Sequence, residues 1–514
     1  MYKDIPARIG QLIFFISTGV EILPSIEKSK FSRPLQKNRI KKLIYFLFNE
    51  GLLKTYRKVQ SRKFQSSAEK LQVPIIAWRT LQCRHQSIIG LGLNFIENNS
   101  YVFFHQNFVI KVPSSIVQEL IEYLKNLFYK DKKFRSCVTK INPFSDLTPS
   151  IHIADYIAHR WKIEYPELKH DTPELTIITR QKNAVKFPLY LIGAGDYART
   201  TILPNIKKFH RKCVIDYNIN IAQWVAKKYS FDSYGIHCHS CLEEIEKDKN
   251  PIIFIAGYHS THTPIALDIL NINPTAKIFI EKPPVTTEDQ LKKLLKVYDP
   301  LKIFIGYNRR HIPWVQDIKK KLDNRKSPLF INMTIKEITL NPNHWYFWPN
   351  QGTRITGNLC HWIDLAVYWV GALPQKLSLI RSPNSDNLVL TILFIDGSLV
   401  NLFPTEAGNS LRGVQEKIEL RFDETTIFVD DFLKMVLDEG GRRKVRRKIL
   451  RDKGHDQMYK RFQWAVLNKQ SDLYSREDLA LSSLIYLKAT EMFLKNISFL
   501  DFNVRVYKDL IAYE

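Results

Sequence analysis

A glycine turn that follows a short apolar run constrains the fold of this chain more than any other feature. Apolar residues dominate positions 187–192, and Gly193, Gly195 and Ala198 then follow in the pattern G-x-G-x-x-A. In a strand–turn–helix unit, the first small residue permits a tight turn, the second lets a pyrophosphate approach the backbone, and the third lets helix and strand pack closely. The phosphates then lie at the amino end of a helix. The segment therefore predicts the first crossover of a dinucleotide-binding sheet.

A carboxylate follows the next apolar run at the spacing expected for a ribose ligand. Asp216 comes directly after the run at 213–215 and about twenty residues after the turn. The alternative interpretation is that Asp216 is a turn residue after a strand. A carboxylate here repels a 2′-phosphate, which favours NAD over NADP, but Arg211 and Lys212 are close enough in sequence to leave NADP open.

Two regions of the chain have different strand patterns. Between 186 and 307, short apolar strands alternate with amphipathic helices, which predicts an α/β region with a Rossmann-type, doubly wound parallel sheet. Between 308 and 514, alternating strands and helices at 357–369 and 477–496 predict an α+β domain with a large, mostly antiparallel sheet. This second region is interpreted as the substrate and oligomerisation domain.

Residues 1–185 form a third region of uncertain fold and unknown role. They contain a basic helical stretch at 38–63 and strand-like alternation at 100–112, but no catalytic constellation. A chain of 514 residues is too long for one ordinary core, so the expected domains are 1–185, 186–307 and 308–514.

The chain is strongly basic, with 76 Lys and Arg against 51 Asp and Glu and a formal net charge of +25. Such a field attracts nucleic acid, a membrane surface or phosphorylated small molecules. The densest run is RRKVRRK at 442–448. Because this run lacks interleaved aromatic residues and a recognisable nucleic-acid-binding fold, we interpret it as a solvated face; a nucleic-acid patch is the alternative.

Cysteine usage and hydropathy give the expected compartment. Cys238 and Cys241 form one CxxC pair, but no second pair stands at zinc-site spacing, so reduced thiols and no metal are expected. The most apolar N-terminal stretch, 12–16, is too short to span a bilayer and lacks the features of a signal peptide. We therefore expect a cytoplasmic protein without a membrane span.

A lysine follows the fourth strand of the predicted parallel sheet. Glu281 and Lys282 stand in the context IFIEKPP, and a loop at the carboxyl end of such a strand faces the cofactor crevice. Beside a positively charged nicotinamide ring the pKa of a lysine falls, which suits it to exchange a proton with a sugar hydroxyl or carbonyl during hydride transfer. The alternative is an exposed lysine before a loop proline.

A histidine within an apolar predicted helix is the second catalytic candidate. A lone histidine such as His361 in this setting is more often a packed core residue than a functional one. Asp364 lies three residues later on the same helical face and could orient the imidazole.

Seven motifs, read together and in order, resemble the Gfo/Idh/MocA family, which includes glucose–fructose oxidoreductase and inositol dehydrogenase. The resemblance extends over 186–500 and is greatest to the branch with predicted sugar dehydrogenases of surface polysaccharide synthesis. Some members of that branch are fused behind a region that resembles zinc alcohol dehydrogenases. Residues 97–113 of this chain faintly resemble that region but contain no set of zinc ligands. The motifs are GAGDYAR (193–199), HSTH (259–262), EKPP (281–284), GYNRRHIP (306–313), NHW (343–345), GTRITGNLCHWIDLAVYWVG (352–371) and DKGH (452–455).

The resemblance implies roles for individual residues. Lys282 matches the catalytic lysine, and His361 matches the histidine that meets the substrate hydroxyl. The implied contacts to the NAD cofactor are Gly193, Gly195, Tyr197, Asp216, His262, Glu281 and Lys282. The implied substrate contacts are Asn308, Arg309, His344, Trp345 and Asn358.

One departure from the family pattern affects the expected function. Many relatives carry an acidic residue three or four positions before the histidine, where this chain has Asn358 and Gly357. Asparagine can hydrogen-bond a sugar but cannot act as a base.

The first interpretation of the whole sequence is an NAD(P)-dependent oxidoreductase that transfers a hydride between nicotinamide and a sugar or sugar nucleotide. No nucleic-acid partner is expected, and assembly into a homo-oligomer is left open. The alternatives are a non-catalytic cofactor- or sugar-binding protein and a nucleic-acid-binding module that uses 442–448.

Overall fold

The N-terminal region contains one long helix and a small antiparallel sheet. The computed structural model of the chain describes residues 15–16, 39–70, 76–80, 89–96, 100–105, 108–113, 175–178, 187–216, 219–235, 238–340, 351–382, 385–409, 413–471 and 474–512. Helix α1 spans Arg39–Lys70 and is kinked at Gly51, so the helix expected at 38–63 is confirmed. The strands pair in sequence order and are β1 (Phe15–Ile16), β2 (Ile76–Thr80), β3 (Ile89–Ile96), β4 (Ser100–His105) and β5 (Phe108–Pro113).

The Rossmann region has, among the described residues, a seven-stranded sheet in which every pair except the one made by β6 is parallel. Its strands are β6 (Thr176–Ile177), β7 (Pro188–Ile192), β8 (His210–Ile215), β9 (Ser233–Gly235), β10 (Ile252–Ile255), β11 (Lys277–Ile280) and β12 (Ile303–Ile305). The order β12-β11-β10-β7-β8-β9-β6 reverses direction at β7, and a cofactor crevice lies at such a switch point. The connecting helices are α2 (Leu203–Asn205), α3 (Ile219–Tyr229), α4 (Leu242–Lys247), α5 (His262–Ile272) and α6 (Glu288–Val297).

The second region is built on a nine-stranded sheet within the described residues, in the order β20-β19-β18-β17-β13-β16-β15-β14-β21. Only β13 and β16 pair in parallel there, so the predicted, mostly antiparallel α+β domain is confirmed. Its strands are β13 (Phe330–Lys336), β14 (Pro374–Arg381), β15 (Leu388–Phe394), β16 (Leu399–Thr405), β17 (Gln415–Phe422), β18 (Thr425–Asp430), β19 (Lys434–Glu439), β20 (Arg442–Arg447) and β21 (Phe499–Asp501). Its helices are α7 (Pro313–Leu322), α8 (Cys360–Val370), α9 (His455–Asn468), α10 (Arg476–Lys495) and α11 (Val504–Ile511).

Helix α9 returns from the second region and completes the Rossmann layer. The Phe462 ring lies 5.1 Å from those of Phe254 and Phe279 and 4.8 Å from that of Phe304, centroid to centroid. These three partners come from the neighbouring strands β10, β11 and β12, so one ring packs against three strands. The predicted division at 307/308 separates α9 in sequence from the layer that it completes.

The helix of the first crossover is short. A π-helical turn at Ala198–Ile202 leads into α2, which ends at Asn205. Ile206 has an extended backbone (φ −93°, ψ 104°), so the element is shorter than its apolar pattern suggests. Within the described ranges, none of the helices combines the length and the hydrophobicity that crossing a bilayer requires.

Replacing Phe462 by alanine should lower the free energy of unfolding by about 3–5 kcal/mol, because the cavity would open beside three strands at once. Urea denaturation followed by tryptophan fluorescence measures the change. Lys460→Ala on the same helix is the matched control, since this side chain is exposed, and its cost should be about 0.5 kcal/mol or less. Equal losses in the two variants would show that α9 does not stabilise the Rossmann layer through Phe462.

Candidate functional site

The glycine turn after β7 has the geometry that the sequence predicts. Gly193 has φ +93°, and a Cβ atom added there would lie 2.5 Å from the Ala256 carbonyl oxygen. Its N–H donates to the Ile215 carbonyl at 2.8 Å, so the turn is held between β8 and β10. A Cβ built on Gly195 would meet no described atom within 4 Å. The backbone at Gly195 is therefore open to a close-lying group, as a pyrophosphate site requires.

Asp216 lies beside this turn at the end of β8. Its carboxylate accepts a hydrogen bond from the Ala194 N–H at 2.8 Å. The neighbouring cations have other partners, since Arg211 donates to three backbone carbonyls and Lys212 pairs with Asp248 at 2.7 Å. A carboxylate beside the turn, with both nearby cations engaged elsewhere, suits a ribose diol better than a ribose 2′-phosphate.

Helix α1 from the N-terminal region reaches the same turn, which the sequence did not indicate. The Ser61 hydroxyl donates to the Asp196 carboxylate at 2.5 Å and accepts from Arg199 Nε at 3.0 Å. Arg199 Nη1 donates in turn to the Ala194 carbonyl at 2.8 Å. Ser61 is only 2% exposed. One serine therefore fixes two residues of the GAGDYAR motif from outside the Rossmann region.

The same helix is also tied to the loop that precedes α9. Arg451 pairs with Glu50 at 2.9 Å, and its N–H donates to the Asn49 carbonyl at 2.7 Å. Lys54 pairs with Asp456 at 3.1 Å. Because α1 contacts both the glycine turn and this loop, it bridges the Rossmann and second regions.

A chain of hydroxyl groups leads from the turn to a buried carboxyl. The Tyr197 and Tyr459 hydroxyl oxygens lie 3.1 Å apart, and Tyr459 donates to Glu281 Oε1 at 2.6 Å. The His455 ring, from the DKGH motif, lies against Tyr197 at 5.8 Å between centroids. Burial raises the pKa of Glu281 to about 7, although Tyr459 and Lys282 oppose the shift. Glu281 therefore changes its charge near neutral pH.

His262 joins two loops at the crevice. Its Nδ1 lies 2.8 Å from the Pro283 carbonyl oxygen, and its Nε2 lies 3.2 Å from that of Gly257. Burial lowers the pKa of His262 to about 4, so the ring is neutral at pH 7 and donates to one carbonyl at a time. These contacts hold the loop after Lys282 close to the loop after β10.

Lys282 reaches the helical segment that carries His361. Lys282 follows β11, and its Nζ donates to the Gly357 carbonyl at 3.0 Å. Gly357 lies four residues before His361, one turn earlier in the π-helical segment that leads into α8. Burial, together with the charges of Arg309 and Lys282, holds the pKa of His361 well below its usual range. The imidazole of His361 is therefore neutral at pH 7.

His361 Nδ1 and Asn308 Oδ1 are among the buried polar atoms that have no hydrogen-bond partner in the described part of the chain. Asn308 uses its Nδ2 to donate to the Lys453 carbonyl. Gly454 follows Lys453 and has φ +79°, and a Cβ atom there would collide with the Asn308 carbonyl oxygen. Only glycine at this position therefore lets the DKGH loop lie so close to Asn308. Unpaired buried polar atoms are costly, and a ligand with hydroxyl groups would satisfy them.

The predicted orienting role of Asp364 is wrong. Its carboxylate accepts from Arg310 at 2.8 and 2.9 Å, from Tyr474 at 2.9 Å and from Ser482 at 3.2 Å. Asp364 shares a helical face with His361 but pairs with Arg310, because Arg310 is a buried cation that requires a carboxylate.

Arg309 lies in a buried ionic cluster beneath the site. It donates to Glu416 at 2.9 and 3.2 Å, and its guanidinium carbon stands 4.1 Å from the centre of the Trp362 ring. Trp362 Nε1 also donates to Glu416 at 2.6 Å, and Lys453 pairs with it at 3.0 Å. Burial opposes ionisation, but Arg309 and Lys453 hold the pKa of Glu416 at about 2.

Asn358 has a carboxylate partner, although neither it nor the preceding Gly357 is acidic. Its Nδ2 donates to Glu337, which is 4% exposed at the end of β13. Sequence spacing gave no sign of Glu337, because the acid comes from a strand and not from the start of the helix. The substrate candidates His344 and Trp345 lie outside the described residues.

Comparisons with known proteins agree with this architecture. Residues 188–304 match the model of an oxidoreductase family with an NAD-binding Rossmann fold, Gfo/Idh/MocA, which confirms the predicted cofactor, NAD. No curated protein matches the chain in sequence.

Several solved structures share the fold. One is a levoglucosan dehydrogenase in complex with NADH and levoglucosan, with 18% identity, a TM-score of 0.52 and coverage of 62% of this chain and 99% of that one. A probable dehydrogenase from Thermotoga maritima has 17% identity, a TM-score of 0.51 and coverage of 61% and 99%. The myo-inositol dehydrogenase from Lactobacillus casei, in complex with NAD(H) and myo-inositol, has 16% identity, a TM-score of 0.50 and coverage of 62% and 97%.

Replacing Ser61 by alanine should weaken NAD binding about 5- to 30-fold, because Arg199 and Asp196 would each lose a hydrogen bond beside the glycine turn. Calorimetric titration with NAD measures the affinity. Gln60→Ala is the control, since this neighbour makes exposed contacts to Lys228 and Tyr56 and should change the affinity less than twofold. Unchanged affinity in Ser61→Ala would mean that α1 does not shape the turn.

Replacing Glu281 by glutamine should stabilise the protein more at about pH 8 than at about pH 5. The folded state holds the Glu281 proton up to a pKa of about 7, against an ordinary value of 4.5, so the wild-type protein loses stability as the pH rises between the two values. The difference should reach on the order of 2 kcal/mol.

Thermal unfolding of both proteins at the two pH values checks this prediction. Glu243→Gln, an exposed glutamate, should give no such pH-dependent difference. A gain in Glu281→Gln that is the same at both pH values would contradict a Glu281 that titrates near neutral pH.

Proposed function

We propose that the protein transfers a hydride between NAD and a carbinol or carbonyl carbon of a sugar or sugar nucleotide, a reaction class supported by the match of residues 188–304 to the Gfo/Idh/MocA oxidoreductase model. The observation that carries the proposal is the reach of Lys282, from the Rossmann region, to the Gly357 carbonyl one turn before His361. In our proposal, the two proton-exchanging side chains, Lys282 and His361, act on one substrate at the carboxyl edge of the parallel sheet, where ligands of this fold bind.

The residues around the glycine turn fit the cofactor. Gly193 permits the turn, Gly195 is open to a close-lying pyrophosphate, and Asp216 lies where it can accept from ribose hydroxyls. NAD, when bound, supplies the group that accepts or donates the hydride. In our proposal Tyr197, which is 36% exposed beside the turn, contacts the cofactor.

Lys282 is proposed as the general acid and base. In the oxidative direction its amine takes the proton of the substrate hydroxyl, and in the reductive direction it returns that proton to the carbonyl oxygen. His361, kept neutral by burial, exchanges a hydrogen bond with the same oxygen through its unpaired Nδ1 and so orients it. Asp364 has no part in this, because it is bound to Arg310.

Three further side chains are proposed to bind substrate hydroxyls. Asn308 offers a buried amide oxygen that lacks a partner in the described chain. Asn358 and Glu337 form a hydrogen-bonded pair, and Glu337 supplies from β13 the carboxylate that many relatives carry just before the histidine.

The net charge of the chain, +25, favours a substrate that bears phosphates, such as a nucleotide sugar. The role in polysaccharide synthesis suggested by the sequence motifs stays a prediction.

A non-catalytic cofactor- or sugar-binding protein is the second candidate. It is favoured by Gly357 and Asn358, neither of which can serve as a base. Purified protein with NAD and a panel of sugars and sugar nucleotides, followed by NADH absorbance, separates the two candidates. NAD binding without turnover of any member of the panel would favour the second.

Lys282→Ala should lower kcat at least about 100-fold, because the proton acceptor is lost, and should leave the affinity for NAD within about threefold. Steady-state kinetics on the substrate found in the panel and calorimetry with NAD measure the two quantities. Lys292→Ala, an exposed lysine on α6, is the control and should behave as the wild type. Retained turnover in Lys282→Ala would remove the lysine from its proposed role.

A further inference from the structure

Large apolar side chains stand exposed along one face of α1. Phe48 is 75% exposed, Leu52 77% and Leu53 61%, and Ile44 and Tyr56 continue the face in both directions. Ile44 and Phe48 lie four residues apart before the kink at Gly51, and Leu52 and Tyr56 lie four residues apart after it, so each pair stands on one side of its half of α1. Ser61, on the second half, makes the buried contacts to the glycine turn. Among the described residues, α1 therefore combines buried contacts to the turn with large apolar side chains that stay exposed.

A second exposed apolar pair adjoins the first. Ile449 is 91% exposed and Leu450 45%, and they directly follow β20. A Cβ atom on Gly51 would lie 3.2 Å from Leu450 Cδ1, and Arg451 donates to the Asn49 carbonyl. The kink of α1 thus packs against Leu450, three residues after the end of β20. We call the exposed side chains of residues 44–56 and 442–450 together the α1–β20 surface.

The strand half of this surface is strongly basic. All six residues of β20 are exposed, and the run RRKVRRK contains six cations and no acid. Exposed ion pairs join Arg443 to Asp438 and Arg446 to Asp317. Exposed pairs of this kind contribute little to the stability of the fold. Charge on an edge strand prevents it from pairing with other strands, but this does not account for the apolar face beside it.

We propose that the α1–β20 surface docks the protein on an anionic lipid bilayer without spanning it. Apolar side chains enter the boundary between headgroups and acyl chains, while neighbouring lysines and arginines pair with anionic headgroups. A nucleic acid or an acidic peptide would use the cations and leave the apolar face of α1 exposed to water. A second copy packed through the same surface would bring two basic strands together.

Binding of the full chain to lipid vesicles tests the proposal. The protein should cosediment with vesicles of phosphatidylcholine that contain about 30% phosphatidylglycerol, and bind pure phosphatidylcholine at least about tenfold more weakly. Leu52→Asp/Ile449→Asp should weaken binding to the anionic vesicles about tenfold or more, because it removes two apolar insertions. Arg446→Glu/Arg447→Glu should do so to a similar extent, and binding of the wild type should fall as salt is raised.

Matched variants elsewhere separate this surface from general charge and hydrophobicity. Phe499→Asp replaces an apolar residue that is 64% exposed, and Lys249→Glu/Lys292→Glu reverses two exposed lysines of the Rossmann region. Both should bind vesicles like the wild type. Circular dichroism and NAD affinity show that each variant is folded.

Three results would overturn the proposal. One is the absence of binding to anionic vesicles. Another is binding of a DNA duplex together with vesicle binding that depends on the arginines but not on Leu52 and Ile449, which identifies a general polyanion patch. The third is a dimer in light scattering that Leu52→Asp/Ile449→Asp dissociates, which assigns the surface to self-association.

Discussion

The buried carboxylate of Glu416 organises the site. It compensates two cations, Arg309 and Lys453, and accepts a hydrogen bond from Trp362 on the helix that carries His361. An uncompensated charge at this depth is strongly destabilising, so the strand end, the helix and the DKGH loop hold one another in place. Burial, with the charge of Arg309 next and that of Lys453 as a smaller contribution, lowers the pKa of His361. The ionic cluster thus assembles the site and adds to the burial that keeps a candidate catalytic imidazole neutral.

The contacts that could be predicted from the sequence are those between residues close together along the chain or within a family motif. The turn at Gly193 was predictable because a strand, a small residue and a helix follow one another. The pairing of Lys282 with His361 was proposed from the family motifs and not from spacing. Ser61 and Glu337 were missed because their partners lie on other elements, at distances in sequence that no local pattern encodes. Asp364 was misassigned because helical spacing places it beside His361 but cannot show that a buried arginine claims its carboxylate.

The N-terminal helix α1 connects parts of the molecule that the domain pattern treats as separate. Ser61 contacts the glycine turn, Glu50 pairs with Arg451 before α9, and Gly51 packs against Leu450 at the end of β20. A region in which the sequence showed no catalytic residues therefore contributes to the geometry of the cofactor site.

The return of α9 to the Rossmann layer bears on how the chain matures during synthesis. The rings of Phe254, Phe279 and Phe304 leave the ribosome well before Phe462, with eight of the nine strands of the second sheet translated between them. Until then, one side of the parallel sheet lacks its aromatic cover, and transiently uncovered apolar surface favours aggregation. Nascent chains of this protein should therefore depend on chaperones up to a late point in translation, even though their nucleotide-binding motif emerges early.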